Sequence, residues 1–411
     1  MKYIVLVGDG MADYKYLELG WKTPLQYAKT PHMDFLAANG ETGLVKTIPD
    51  GFPPGSDVAN LSVLGYDPCL YYTGRSPLEA ASMGIDLEEN DMAFRCNLVT
   101  LSPDEVYKQK RMIDYSAGEI STEEAKILIE AVNRNLGSDE VQFFPGISYR
   151  HLMIWRNCTG DSTLNLTPPH DISGRCIAGF LPRGDKGGAL LNLMEKSSLF
   201  LSSHPINLEK TKCNKPPANS IWFWGEGKRA SLPPFREKFR LQGSVISAVD
   251  LIKGIGVCAG LEAINVPGAT GNIHTNFRGK TMAALAELRR GNDFVLIHVE
   301  APDEAGHQGD LETKIKAIQE IDQKVLGELL RALDDFGRYR IMLLPDHPTP
   351  VSVKTHTKEP VPFVILTGGN KTARNKPATF DEDSAGASNL YFPAGHLLME
   401  YFTKIAGLRQ V

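Results

Sequence analysis

Four short, largely apolar runs limit the possible folds of this chain more than any other feature: Ile4–Val7, Phe294–Val299, Ile341–Leu344 and Val361–Leu366. Each is rich in β-branched or bulky residues and lacks the polar alternation of a half-exposed strand, so each reads as a strand buried on both faces. Between the second and third lies a stretch, Leu311 to Phe336, in which Ile315, Ile318, Ile321, Val325, Leu329 and Leu333 recur at three- and four-residue intervals. That spacing predicts a helix with one buried face, stopped by Gly337. Strand, helix, strand in this order is the pattern of a parallel α/β sheet. Ser220–Trp224 and Ser244–Val249 are two further strand candidates, the second running on toward a helix at Leu251.

Residues from about Leu87 to Lys215 have a different texture. Met92–Thr100 and Ser148–Trp155 show the alternation of exposed antiparallel strands, while Thr122–Asn135 and Gly188–Ser197 read as helices. Asn207–Ala218 is polar, contains proline and has no period, which predicts a return linker. The chain therefore parses as an α/β core made of residues 1–86 and 216–411, interrupted by a smaller α+β domain at 87–215. The polar stretch Gly368–Ser388 is expected to be an irregular surface loop.

With 411 residues the chain has room for two or three domains. Its 44 Lys plus Arg against 49 Asp plus Glu give a formal net charge of −5, which argues against a nucleic-acid partner. A composition of 42% hydrophobic and 23% charged residues is that of a folded globular chain and not a disordered one. The six cysteines, Cys69, Cys96, Cys158, Cys176, Cys213 and Cys258, contain no CxxC pair, so neither a disulfide framework nor a thiolate zinc site is expected, and a reducing compartment fits. Tyr3–Val7 is too short for a signal-peptide core, and no run approaches the ~20 apolar residues of a membrane span. A cytoplasmic location without a membrane partner is the expectation; nothing in the sequence specifies an oligomer.

The chemistry is concentrated just beyond the strands. Asp9 follows the first; Asp303 and His307, in EAPDEAGH, follow the second; Asp346 and His347, in PDHPTP, follow the third; His356 precedes the fourth. In an open parallel sheet the carboxyl ends of the strands face one crevice, where ligands bind. Taken singly, each residue reads equally well as a cap or an ion-pair partner. Six carboxylate and imidazole donors delivered to one edge make a metal site large enough for two ions, with a ligand chemistry suited to zinc, manganese or a similar divalent cation. Ser56, in the loop PGSDVANLSVLGYDP, is placed like an activated nucleophile at a helix start, where a phosphate anion is favoured. Alone it would read as a simple N-cap; a neighbouring divalent cation, which favours the alkoxide, tips the reading toward nucleophile.

Together, GDGMAD, PGSDVANLSVLGYDP, EAPDEAGH, PDHPTP and THTKEPVPF resemble the archaeal-type 2,3-bisphosphoglycerate-independent phosphoglycerate mutases, in order, from residue 1 to about 367. The resemblance implies an alkaline-phosphatase-like α/β core, with a mostly parallel sheet sandwiched by helices, and an inserted substrate domain. It implies interconversion of 3- and 2-phosphoglycerate in glycolysis and gluconeogenesis, through a phosphoserine at Ser56, with two divalent metals and no 2,3-bisphosphoglycerate. Manganese is the first expectation, with zinc, magnesium or cobalt as alternatives. Asp9, Asp346, His347 and Ser56 would hold one metal, and Asp303, His307 and His356 the other.

A small phosphorylated hydroxy acid as substrate needs donors from the insertion. Arg150 and His151, in GISYRHLMIW, and His170 and Asp171, in TPPHDISGR, resemble the family at those positions and are the leading candidates; His151 or Asp171 would move the proton. The opposing reading is that Arg150 and His151 alternate across a strand, one in and one out. Lys228 and Arg229 are further candidates, although Gly225, Glu226 and Gly227 stand where bacterial and plant mutases place an arginine-rich pair. Arg75 and Arg95 are weaker ones. Two related activities share the same metals and serine: a homoserine kinase-like phosphotransferase and a plain metal-dependent phosphatase. An insertion able to retain the intermediate argues against the second.

Overall fold

The computed structural model describes residues 1–158, 164–369 and 378–403. Its strands, in chain order, are β1 (Lys2–Gly8), β2 (Glu41–Val45), β3 (Met92–Leu101), β4 (Met112–Asp114), β5 (Val141–Phe144), β6 (Arg150–Trp155), β7 (Ser220–Lys228), β8 (Gly243–Ile246), β9 (Glu262–Ile264), β10 (Phe294–Val299), β11 (Tyr339–Leu344), β12 (Val361–Gly368) and β13 (Tyr391–Phe392). The chain divides into two compact units, residues 1–72 with 231–411 and residues 73–230.

The first unit is built on an eight-stranded sheet ordered β13-β2-β12-β11-β1-β10-β8-β9. The four apolar runs form its centre, and β10 and β11 are buried along their whole length. Strands β11, β1, β10, β8 and β9 are mutually parallel, but β12 runs antiparallel to both β11 and β2. Residues 345–360 join β11 to β12 without a helix. A parallel return would need a crossover, so the chain comes back antiparallel. The start of β12 consequently lies at the sheet edge where β1, β10 and β11 end.

The helix expected at 311–336 is formed by Leu311–Glu320, a π-helical turn Ile321–Leu326, Gly327–Leu333 and a tight last turn Asp334–Phe336. Ile318, Ile321, Val325, Leu329 and Leu333 are buried against the sheet, as their spacing requires. In the widened turn, buried Asp322 accepts from the backbone N–H groups of His32 (3.0 Å) and Met33 (2.8 Å).

The second unit carries an antiparallel sheet in which β3 pairs with β6 on one edge and β7 on the other, with β5 beyond β6 and β4 added past a bulge at Thr100/Leu101. Three expectations are corrected here. β3 is buried on both faces: Phe94, Cys96 and Leu98 join one apolar cluster, Ala93 joins another with Leu152 and Ile154. β7 belongs to this sheet and not to the α/β core, so the boundaries lie at 72/73 and 230/231 instead of 86/87 and 215/216. Half of the linker expected at 207–218 lies in the helix Pro205–Lys212, whose buried Asn207 side chain bonds to Leu201 O, Ala218 O and Ala218 N–H, each at 2.8 Å. Only Asn207 and Lys210 of that helix are buried, and neither is apolar, so it shows no hydrophobic period.

Of the loop expected at 368–388, residues 370–377 lie outside the described residues, Gly368 still belongs to β12, and Glu382–Gly386 form a helix capped by Asp381. All six cysteines are free. Among the described residues no helix is long and apolar enough to cross a membrane.

Below the sheet edge, fully buried Lys314 places Nζ 2.6 Å from Asp13 Oδ2. Glu382 accepts from the Asp13 N–H (3.1 Å) and the Thr23 hydroxyl (2.7 Å), and burial pushes its carboxyl up to about 7 from an ordinary 4.5. A carboxyl whose folded pKa is raised favours folding when protonated; that advantage is complete below about 4.5 and is lost as pH rises through 7. Glu382→Gln should therefore melt at the wild-type temperature at pH 4 and about 2–4 °C above it at pH 8. Thermal melts of the two proteins across that range check it; a constant offset contradicts the assignment.

Candidate active site

Strands β1, β10 and β11, which end at this edge, each deliver part of one cluster. Asp9 continues directly from β1, its N–H bonded to Val299 O of β10 at 2.9 Å. Asp303 and His307 sit one turn apart on the helix Ala301–Gln308, which begins where β10 ends. Asp346 and His347 follow β11, and the antiparallel entry into β12 brings His356 to the same place. Ser56 opens the helix Ser56–Val63; Gly55 occupies the cap, so Ser56 is not the N-cap that its sequence context allowed.

The Ser56 hydroxyl lies 3.0 Å from His347 Nε2. That nitrogen is also 3.6 Å from Asp9 Oδ1 and 3.5 Å from Asp346 Oδ2. The second group centres on Asp303, whose carboxylate oxygens are 3.3 Å from His307 Nε2 and 3.3 Å from His356 Nε2, the two imidazole nitrogens facing each other at 2.9 Å. The His347 and His356 rings are 4.0 Å apart between centroids, so the groups adjoin. All seven residues expected at the metal and nucleophile positions thus converge.

Protein donors and a backbone carbonyl hold these side chains in place. Asp346 Oδ1 accepts from the N–H groups of Gly10 (3.2 Å) and His347 (3.0 Å), and Oδ2 from Asn60 Nδ2 at 2.7 Å. The Thr47 hydroxyl donates to Asp346 O at 2.6 Å, and Lys354 O lies 3.1 Å from His307 Nδ1. Buried Asp9 Oδ1 has no hydrogen-bond partner.

The electrostatics call for positive charge. Burial, with Asp346, Asp303 and Glu300 nearby, raises the Asp9 carboxyl well above the carboxylate range. Burial opposes ionisation of Asp303, but the facing His307 and His356 outweigh it and hold that carboxyl well below its usual value. His347 is pushed down to about 4 by burial. For His307, burial works against charge, yet Asp303 prevails and raises it to about 9. Buried carboxylates crowded with imidazole nitrogens, one carboxylate oxygen left without a partner, form a donor set that fits two divalent cations.

The sequence reading missed two members. His298, inside β10, is fully buried with Nε2 3.1 Å from Asp9 Oδ2, and Glu300 lies within 4.8 Å of Asp9 and Asp303. A histidine interrupting an otherwise apolar central strand was the available signal.

In the second unit the candidates separate. Arg150 is exposed, whereas His151, next to it on β6, is 2% exposed. Successive strand residues face opposite sides, so the two cannot act on one ligand. The His151 Nδ1 accepts from Gly146 N–H at 3.0 Å, and burial pushes the ring down to about 3. Here it is a neutral interior residue. His170 and Asp171 are exposed neighbours 3.7 Å apart, with the His170 ring 5.2 Å from that of Trp224. Lys228 and Arg229 are exposed at the end of β7. Arg95 makes a two-pronged bond to Glu79 (2.9 and 2.5 Å) and stacks 4.7 Å from the Trp224 ring.

A family model described as 2,3-bisphosphoglycerate-independent phosphoglycerate mutase matches residues 37–207. A Geobacter sulfurreducens protein named probable 2,3-bisphosphoglycerate-independent phosphoglycerate mutase is 55% identical over 97% of this chain and 99% of its own. A Methanosarcina barkeri protein named 2,3-bisphosphoglycerate-independent phosphoglycerate mutase is 52% identical over 95% of this chain and 96% of its own. The solved cofactor-independent phosphoglycerate mutase of Thermoplasma acidophilum superposes with a TM-score of 0.64 at 27% identity, covering 99% of this chain and 100% of that one. With identity of this degree sustained from end to end, the chain belongs to the archaeal-type 2,3-bisphosphoglycerate-independent phosphoglycerate mutases.

Proposed function

We propose that this chain interconverts 3-phosphoglycerate and 2-phosphoglycerate by two phosphoryl transfers through Ser56. Asp9, Asp346 and His347, with the Ser56 oxygen, would hold one divalent cation, and Asp303, His307 and His356 a second. The observation that carries this reading is the Ser56 hydroxyl 3.0 Å from His347 Nε2, at the start of a helix and inside the ligand cluster. When bound, the cations favour the alkoxide of the serine and neutralise charge on the phosphoryl oxygens.

In the first transfer Ser56 Oγ bonds to phosphorus as the bond to the glycerate 3-oxygen breaks; the serine loses its proton and the 3-oxygen gains one. In the second, the glycerate 2-oxygen takes the phosphoryl group from Ser56, which recovers its hydroxyl. The N-terminal N–H groups of the helix Ser56–Val63 favour the phosphate there. We assign the 73–230 unit to substrate binding, with exposed Arg150, His170, Lys228 and Arg229 as donors and Asp171 as the remaining proton carrier. Carboxylate and imidazole ligands suit manganese as the metal to supply first, and the free cysteines fit a cytoplasmic enzyme.

The test is to strip the protein with chelator, reload it with manganese, supply 3-phosphoglycerate and measure 2-phosphoglycerate and free phosphate together. Formation of 2-phosphoglycerate without matching phosphate release is the expected result. Phosphate release alone would mark a phosphatase. Inertness toward 3-phosphoglycerate with phosphorylation of homoserine from a nucleotide donor would mark the kinase-like relative.

A further inference from the structure

Thr349 touches both ligand groups and belongs to neither. It is fully buried, its hydroxyl 2.5 Å from Asp303 Oδ1 and 3.2 Å from His347 Nδ1. Its backbone is fixed on both sides: its N–H donates to Ala12 O at 3.3 Å, and its carbonyl accepts from the Lys314 ammonium at 2.8 Å. Space for it is made by two glycines. A Cβ at Gly10, where φ is +64°, would stand 2.6 Å from the Thr349 hydroxyl, and one at Gly306 would stand 2.5 Å from the Thr349 carbonyl oxygen. Neither glycine can become alanine without displacing this residue.

We propose that Thr349 is a positioning residue that fixes the tautomer of His347 and the orientation of Asp303, and so couples the two metal sites. The argument rests on the two-cation reading above and follows from proton counting. A metal-holding carboxylate only accepts hydrogen bonds, so the single hydroxyl proton of Thr349 goes to Asp303. The oxygen can then only accept from His347, which places the imidazole proton on Nδ1. That leaves Nε2 unprotonated, on the side facing Ser56 Oγ, Asp9 Oδ1 and Asp346 Oδ2. A ligating histidine needs this arrangement, its far nitrogen holding the proton and bonded to a fixed acceptor. The same hydroxyl steers Asp303 Oδ1, the oxygen that faces His356.

Two measurements test this without recourse to turnover. In metal-free protein labelled with ¹⁵N-histidine, the imidazole shifts of His347 should report the Nδ1–H tautomer; an Nε2–H signal overturns the proposal. In cobalt titrations of stripped protein, followed by calorimetry and visible absorption, Thr349→Val should weaken both sites by about 10- to 100-fold. Thr349→Ser, which restores the hydroxyl, should stay within about 3-fold of wild type at both. Undiminished affinity with an unchanged cobalt spectrum in Thr349→Val overturns the positioning role, and weakening of one site alone overturns the coupling. Should Thr349→Val fail to fold, the tautomer measurement on wild-type protein decides. Wild-type protein that takes up no cobalt would instead refute the two-cation reading itself, and this inference with it.

Discussion

Ser56→Ala should lower mutase turnover by at least about 10⁴-fold while leaving two cations bound. The size of the effect follows from the proposed role: the oxygen that would receive the phosphoryl group is removed, and no other hydroxyl among the described residues is hydrogen-bonded to His347 Nε2. Folding should be little affected. Ser56 makes no capping bond in its helix, where Gly55 holds the cap, and the change deletes one oxygen while leaving the six proposed side-chain ligands in place. Turnover by stopped assay and metal stoichiometry on the same preparation check the two halves. Activity within about 100-fold of wild type would exclude a phosphoserine at this position, whereas loss of metal together with activity would make Ser56 a structural ligand first.

Asp9→Asn should have opposite effects on stability and function. In the metal-free protein the Asp9 carboxyl is buried with Asp346, Asp303 and Glu300 around it, which raises its pKa, and one of its oxygens has no hydrogen-bond partner. Without a cation the folded chain must hold a proton there or bury an unneutralised charge, and either costs stability relative to the unfolded chain. Replacing it with a neutral isostere should raise the melting temperature of the chelator-treated protein by about 2–6 °C. The same change would remove a proposed anionic ligand, so added manganese should stabilise the variant far less than wild type, and turnover should fall by about 10³-fold or more. Melts with and without manganese for both proteins test this. A variant less stable than wild type without metal would show that the carboxylate is already well paired inside the protein.

Much of this site was legible in one dimension because its parts are local. Asp9, Asp303 and Asp346 each stand within a few residues of a strand end, and a buried parallel strand announces itself as an apolar run. Where one strand ends its neighbours end too, so residues far apart in sequence could be assigned to one edge. The long helix was legible for a similar reason, since its buried face recurs every three or four residues on both sides of the π-helical turn.

The second unit resisted the same treatment. Strand β3 alternates in chemistry but not in burial, because it is central and covered on both faces. β7 reads like any buried strand, and only its pairing with β3 shows which sheet it joins. Arg150 and His151 looked like one site because they are adjacent in sequence, yet adjacency in a strand means opposite faces.

The sequence alone therefore determined the residue types and the edge at which they meet: carboxylates and imidazoles after buried strands, and a serine at a helix start. The tertiary structure decided what depends on direction and distance. The antiparallel course of β12 is what turns His356 from a residue before a strand into a partner of Asp303 at 3.3 Å. His298 and Thr349, one within a strand and the other in a loop, acquire meaning only from the atoms they face. Pattern reports periodicity along the chain, whereas a hydrogen bond or a metal ligand is set by the meeting of segments that the pattern does not relate.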